Sequence, residues 1–118
     1  MIANNFSAYI RPAAVAGMFY PGHKKELRNS VRNYLQSAEE DESELKIALD
    51  EISAIRMLIV PHAGYIYSGK TAAFAYQLLQ QFKNQIRRVL MLGPAHRVWL
   101  TGAALPEADS FETPLGQI

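Results

Sequence analysis

The sequence of 118 residues has no cysteine, one tryptophan and three histidines. Without cysteine the chain has no disulfide framework, no thiolate-ligated zinc or iron–sulfur centre and no thiol nucleophile of its own. It also lacks long apolar runs. The stretches at 57–60 and 89–92 are four residues long, whereas a membrane-spanning helix needs about 20. No excess of either charge is present: 12 Lys+Arg oppose 11 Asp+Glu, for a net charge of +1. Global electrostatics therefore makes no case for a nucleic-acid partner. The first ten residues have neither the basic start nor the apolar stretch of an export signal. With no cysteine, this points to a cytoplasmic protein without membrane contact.

What is present is a globular composition, 49% hydrophobic and 19% charged. Charge is segregated along the chain. Arg11, Lys24, Lys25, Arg28 and Arg32 face only Glu26, while acids dominate between Glu39 and Glu51 around Lys46. Such blocks read as solvated helix faces and a loop. Pro12 and Pro21 push their predecessors out of helix, so Arg11–Gly22 should be extended and then turn. A helix is expected over His23–Ala38, because Leu27, Val31, Tyr34 and Leu35 form one stripe. The segment Glu39–Ile52 reads as loop or short helix.

Met57–Val60 and Val89–Leu92 are continuous apolar runs, stopped by Pro61 and by Gly93-Pro94. Each predicts a strand buried on both faces of a parallel sheet. Between them, Thr71–Phe82 predicts a helix with Ala72, Ala75, Tyr76, Leu79 and Phe82 on one side. The expected unit is a right-handed strand–helix–strand crossover, with a further strand at Gly102–Leu105. Ligands in open α/β sheets bind outside the carboxyl ends of the strands. The loops there are Pro61–Gly69 and Gly93–Arg97, and each carries one histidine, His62 and His96. Neighbouring strands lie about 4.8 Å apart, so both imidazoles can reach one point. Two neutral imidazoles suit iron, copper or zinc but do not complete a site. His23 reads as a surface or capping residue.

Gly64-Tyr65-Ile66-Tyr67-Ser68-Gly69-Lys70-Thr71 matches the phosphate-loop pattern G-x-x-x-x-G-K-[ST]. Its bulky residues suit a phosphate cradle poorly, and no apolar run ends in an Asp for a magnesium ion. Nucleotide binding is thus the weaker of the alternatives. Tyr65 and Tyr67, read as an extended loop, face one side. With Lys70 and Arg97 they form a candidate pocket for a substrate, a peptide or an anion.

Four blocks, taken together, resemble the Memo family, whose bacterial members are called AmmeMemoRadiSam system protein B. These are Arg11-Pro12-Ala13-Ala14-Val15-Ala16-Gly17-Met18-Phe19-Tyr20-Pro21, Pro61-His62-Ala63-Gly64-Tyr65-Ile66-Tyr67-Ser68-Gly69, Leu92-Gly93-Pro94-Ala95-His96-Arg97 and Phe111-Glu112-Thr113-Pro114-Leu115-Gly116. The resemblance implies a fold similar to class III extradiol dioxygenases: a three-layer α/β/α arrangement on a central, mostly parallel or mixed sheet. It implies that residues 1–118 are the N-terminal part of one such domain, incomplete in this chain, with the C-terminal half absent. It further implies a non-haem metal pocket, for iron or copper, in which His62 and His96 match the family's histidines. The family's remaining pocket residues, a Cys, an Asp and a further His, belong to segments beyond those four blocks. Arg97 stands where some members carry a second adjacent His. The implied activity is metal-dependent redox or dioxygenase-like chemistry, which this chain alone does not complete. The alternative is a non-catalytic module for a small molecule, peptide or anion. Self-association through an exposed sheet edge is expected in either case.

Overall fold

The structure, a computed structural model, describes residues 8–40 and 52–118. Its elements run in the order β1 (Ile10–Arg11), α1 (Lys24–Glu40), α2 (Tyr65–Phe82), β2 (Ser110–Thr113) and β3 (Gly116–Gln117).

Helix α1 begins where the Pro21-Gly22 turn ends. The Leu27 amide donates to the His23 carbonyl at 2.9 Å, closing the first turn. Of the expected stripe, Leu27 is buried and Val31, Tyr34 and Leu35 are half-buried, and Ala38 adds a second buried position. The helix runs past Ala38 to Glu40, where the Gln36 side-chain amide donates to Glu40 Oε1 one turn on, at 3.0 Å. Most of the expected loop or helix over Glu39–Ile52 lies outside the described residues.

Helix α2 starts at Tyr65, six positions before the expected Thr71. No proline interrupts Tyr65–Lys70, and Gly64 takes the non-helical N-cap conformation, φ −57° and ψ 150°. The Tyr67 and Ser68 amides donate to the Gly64 carbonyl, and the buried Ser68 hydroxyl donates to the Ala63 carbonyl at 2.9 Å. Gly69, which reads as a loop residue, is a helix residue with a packing role. A Cβ there would lie 2.8 Å from Cε2 of Tyr34. The missing side chain lets the Tyr34 ring of α1 lie directly on α2. Among the described residues the apolar core is this helix pair, whose buried members are Leu27 and Ala38 on α1 and Ala73 and Phe82 on α2.

The sheet is mixed and comes from the two ends of the described chain. β1 pairs parallel with β2, Ile10 opposite Ser110 and Arg11 opposite Phe111. β2 pairs antiparallel with β3 through a hairpin at Pro114-Leu115. The Leu115 amide donates to the Thr113 hydroxyl, which in turn donates to the Gly116 carbonyl. Gly116, at φ 138°, takes a conformation side-chain-bearing residues avoid. Asp109 bridges to Tyr9 twice, and the Arg11 guanidinium lies 5.4 Å from the centre of the Phe111 ring.

The expected strands at Met57–Val60, Val89–Leu92 and Gly102–Leu105 are not formed. The crossover unit is therefore not closed. The physical reason is that a strand exists only through its neighbours, and no described segment pairs with these runs. The radius of gyration is correspondingly large at 17.3 Å, against about 13 Å for a compact domain of 100 residues. What the described residues establish is a small α/β arrangement of two helices and a three-stranded mixed sheet.

The Tyr34–Gly69 contact makes a test of the helix pair. Alanine is a better helix former than glycine by about 1 kcal/mol, yet overpacking costs about 1–3 kcal/mol. Gly69→Ala should therefore lower stability in urea unfolding followed by circular dichroism. Adding Tyr34→Leu should recover most of the loss. A more stable Gly69→Ala protein would show that the helices do not meet at this point.

Candidate functional site

The site is built on the peptide just before α2. His62 is held by two backbone anchors on its C-terminal side. The Ser68 hydroxyl holds the Ala63 carbonyl, and the Tyr65 amide donates to the Phe19 carbonyl at 2.7 Å. The second anchor joins the Arg11–Pro21 segment to the Pro61–Gly69 segment. That first segment is itself folded back. The Gly17 amide donates to the Tyr20 carbonyl at 2.8 Å, and Gly17 sits at φ 79°, a conformation suited to glycine. Gly22 packs against Gly17, where a Cβ would meet backbone at 3.3 Å.

His96 comes from the Gly93–Arg97 loop. Its Nε2 lies 3.0 Å from Nε2 of His62, with ring centroids 5.2 Å apart and planes inclined by 28°. The convergence expected from the two loops is thus present, although the runs that carry them are not paired strands. A contact of this length between two ring nitrogens is a hydrogen bond only if one donates and the other offers a lone pair. The pair is exposed to solvent. Among the described residues, no group of three or more His, Cys, Asp or Glu gathers as a metal cluster.

Beside His62 lies a cavity of about 430 Å³, in the range of small-molecule pockets. Its walls are mainly apolar and include Phe19, Tyr20, Tyr34, Val60, Tyr65 and Tyr76. Tyr65 is central to it. Its ring lies 5.7 Å from that of Tyr20 and 6.3 Å, edge-on, from that of Tyr34. Burial pushes the Tyr65 phenol above its ordinary value, and the phenolates of Tyr76 and Tyr20 would add to this. Tyr65 is accordingly a neutral phenol at physiological pH.

The other candidate residues fall differently. Tyr65 and Tyr67 do not share one side. Residues two apart on a helix point in nearly opposite directions, and Tyr67 is 80% exposed while Tyr65 faces the cavity. Lys70 and Arg97 are exposed, so the four residues do not line one cavity. The phosphate-loop pattern Gly64–Thr71 is helix from Tyr65 onward. Its amides are committed to helical bonding after the first turn and cannot wrap a phosphate. The aromatic cavity itself was not expected. Tyr34 reads as part of the α1 stripe and Tyr76 as part of the α2 stripe, and only the approach at Gly69 brings them to the same wall.

A sequence model of the family described as Memo-like protein matches residues 11–118. The memo-1 homologue of Caenorhabditis elegans is 35% identical over 118 residues, all of this chain and 30% of that protein. The MEMO1 family protein TV1383 of Thermoplasma volcanium is 36% identical over 108 residues, 91% of this chain and 35% of that protein. The MEMO1 family protein MHO1 of Saccharomyces cerevisiae is 38% identical over 110 residues, 92% of this chain and 30% of that protein. The chain thus spans about a third of the length of these curated relatives. No solved structure matches it.

The half-buried phenol makes a test of the cavity. A proton held more tightly in the folded state than in the unfolded one stabilises the fold below the ordinary tyrosine range near pH 10. That contribution is lost as pH rises through the raised value. In a spectrophotometric titration, Tyr65→Phe should remove the last tyrosine to ionise, and its stability should fall less steeply on the alkaline side. An unchanged late-titrating group would place Tyr65 outside the cavity.

Proposed function

From the premise that the chain belongs to the Memo-like family, we propose that His62 and His96 are two ligands of a non-haem iron or copper site. The observation that carries this reading is the 3.0 Å separation of their Nε2 atoms. The rings meet nearly end to end, with centroids 5.2 Å apart, so both Nε2 lone pairs reach one shared ion once each ring turns about its side-chain torsions. The donor set fits as well. Neutral imidazole suits iron, copper and zinc, and the pair leaves most coordination positions to other donors. A bound iron or copper ion would supply one-electron or oxygen-activating chemistry.

The residues of this chain do the positioning. The bonds from Ser68 and Tyr65 hold the backbone beside His62, so that its ring meets His96 without a large ordering cost. Tyr65, Tyr20 and Phe19 give the neighbouring cavity an apolar wall, suited to the carbon skeleton of a small substrate lying against the histidines. Kept neutral by burial, Tyr65 can donate a hydrogen bond but does not act as a base. The redox or dioxygenase-like activity is assigned to the site once its ligand set is complete.

Calorimetric titration with Cu(II) and with Fe(II) tests the pair. The chain should bind one ion weakly, and His62→Ala or His96→Ala should each weaken binding at least tenfold. Lys70→Ala, on the exposed side of α2, should bind as the parent does. Tight binding that His62→Ala leaves unchanged would overturn the assignment.

A further inference from the structure

A second groove, of about 480 Å³, lies along α1 and α2, and neither the histidines nor the apolar runs Met57–Val60 and Val89–Leu92 line it. Its apolar lining comes from Val31 and Leu35 of α1, both half-buried, and from Leu115 of the hairpin. Its polar lining is charged on the α1 side. Arg28 and Arg32, exposed and one helical turn apart, stand toward the start of α1, and Glu39 stands near its end. On the α2 side are Gln77 and Gln80, whose side-chain amides bond to each other at 2.7 Å. The charges of α1 do not serve the helix that bears them. A helix dipole favours acids in the first turn and bases in the last. α1 has the reverse: Lys24 and Lys25 outnumber Glu26 at its start, and its last turn holds no base but Glu39 and Glu40. Arg28 and Arg32, one turn apart, also repel each other. Charge set against its own helix is explained by something outside that helix.

We infer that this groove docks an amphipathic acidic helix of another protein. A helix laid along two packed helices sets its apolar stripe on Val31, Leu35 and Leu115. Two carboxylates one turn apart on that stripe's edge match the spacing of Arg28 and Arg32, and a guanidinium holds a carboxylate through two parallel hydrogen bonds. Glu39 lies seven positions past Arg32, about 10 Å along the axis at 1.5 Å per residue. It calls for a base on the partner two turns from the acids, so only one direction of docking satisfies all three charges. A nucleic acid offers no apolar stripe and is repelled by Glu39. An anionic membrane is likewise repelled by Glu39 and is too flat to enter a groove between helices. The inference does not depend on the histidine pair, and its test involves no metal.

The experiment follows the fluorescence anisotropy of a labelled, alanine-based helical probe peptide titrated with the full chain. The probe carries two glutamates one turn apart, a leucine stripe beside them and a lysine two turns on. It should bind saturably, with an affinity that falls as salt rises. Arg28→Glu with Arg32→Glu should weaken binding at least tenfold while the helical circular dichroism of the chain stays unchanged. A probe with lysines in place of the two glutamates should bind that variant and not the parent, which a merely misfolded variant would not do. Arg87→Glu with Arg88→Glu makes the same change of charge outside the groove and should bind as the parent does. A parent chain that does not bind the probe overturns the inference, and so does an equal loss in the Arg87 and Arg88 variant. Phosphatidylserine vesicles that bind through Arg28 and Arg32 where the probe does not would make a membrane the occupant. Probe binding that appears only after Glu42→Gln with Glu44→Gln would make the chain's own acidic stretch the occupant. Either result also overturns the inference.

Discussion

One backbone contact organises the molecule: the Tyr65 amide on the Phe19 carbonyl, at 2.7 Å. It joins two segments that are 46 positions apart in sequence, and it does so at the first residue of α2. The free amides at a helix start need acceptors. Gly64 supplies no side-chain cap, so the neighbouring segment supplies an acceptor instead. The position of His62 follows from this. The backbone just after it is fixed to α2 at the Ala63 carbonyl by Ser68 and to the Arg11–Pro21 segment at the Tyr65 amide, and its ring meets that of His96.

The helix pair is the second constraint, and it has a different origin. α1 and α2 approach closely because Gly69 has no side chain where Tyr34 lies. The same approach brings Tyr34, Tyr65 and Tyr76 around one cavity beside His62. Backbone pinning and close helix packing thus act on one small region. The price is that little else is buried: outside the helix pair, the apolar runs around Met57–Val60 and Val89–Leu92 lie largely open. The histidine pair sits in the loops that follow these two unpaired apolar runs.

Much of this was legible in the sequence. The stripe of Leu27, Val31, Tyr34 and Leu35 predicts helix α1 and the side it turns inward, though not the buried Ala38. The loop positions of His62 and His96 predict that the rings meet, and the four blocks predict the family. The errors have physical causes. Gly69 reads as the end of the Pro61–Gly69 loop, because the sequence does not reveal that Tyr34 occupies the space of its side chain, and so the start of α2 is placed too late. That displacement turned Tyr65 and Tyr67 into loop neighbours and made a helix resemble a phosphate loop. The apolar runs carry correct strand chemistry, but pairing is a property of neighbours and not of a run itself. The sheet that does form joins Ile10-Arg11 to Ser110–Thr113, a pairing across nearly the whole chain that no local pattern signals.

The central claim is that the two imidazoles share one ion. Extended X-ray absorption fine structure at the copper edge measures this directly. The account predicts two imidazole ligands per copper in the parent chain, and one in each of His62→Ala and His96→Ala. A count of imidazole ligands that stays the same after either substitution would contradict it.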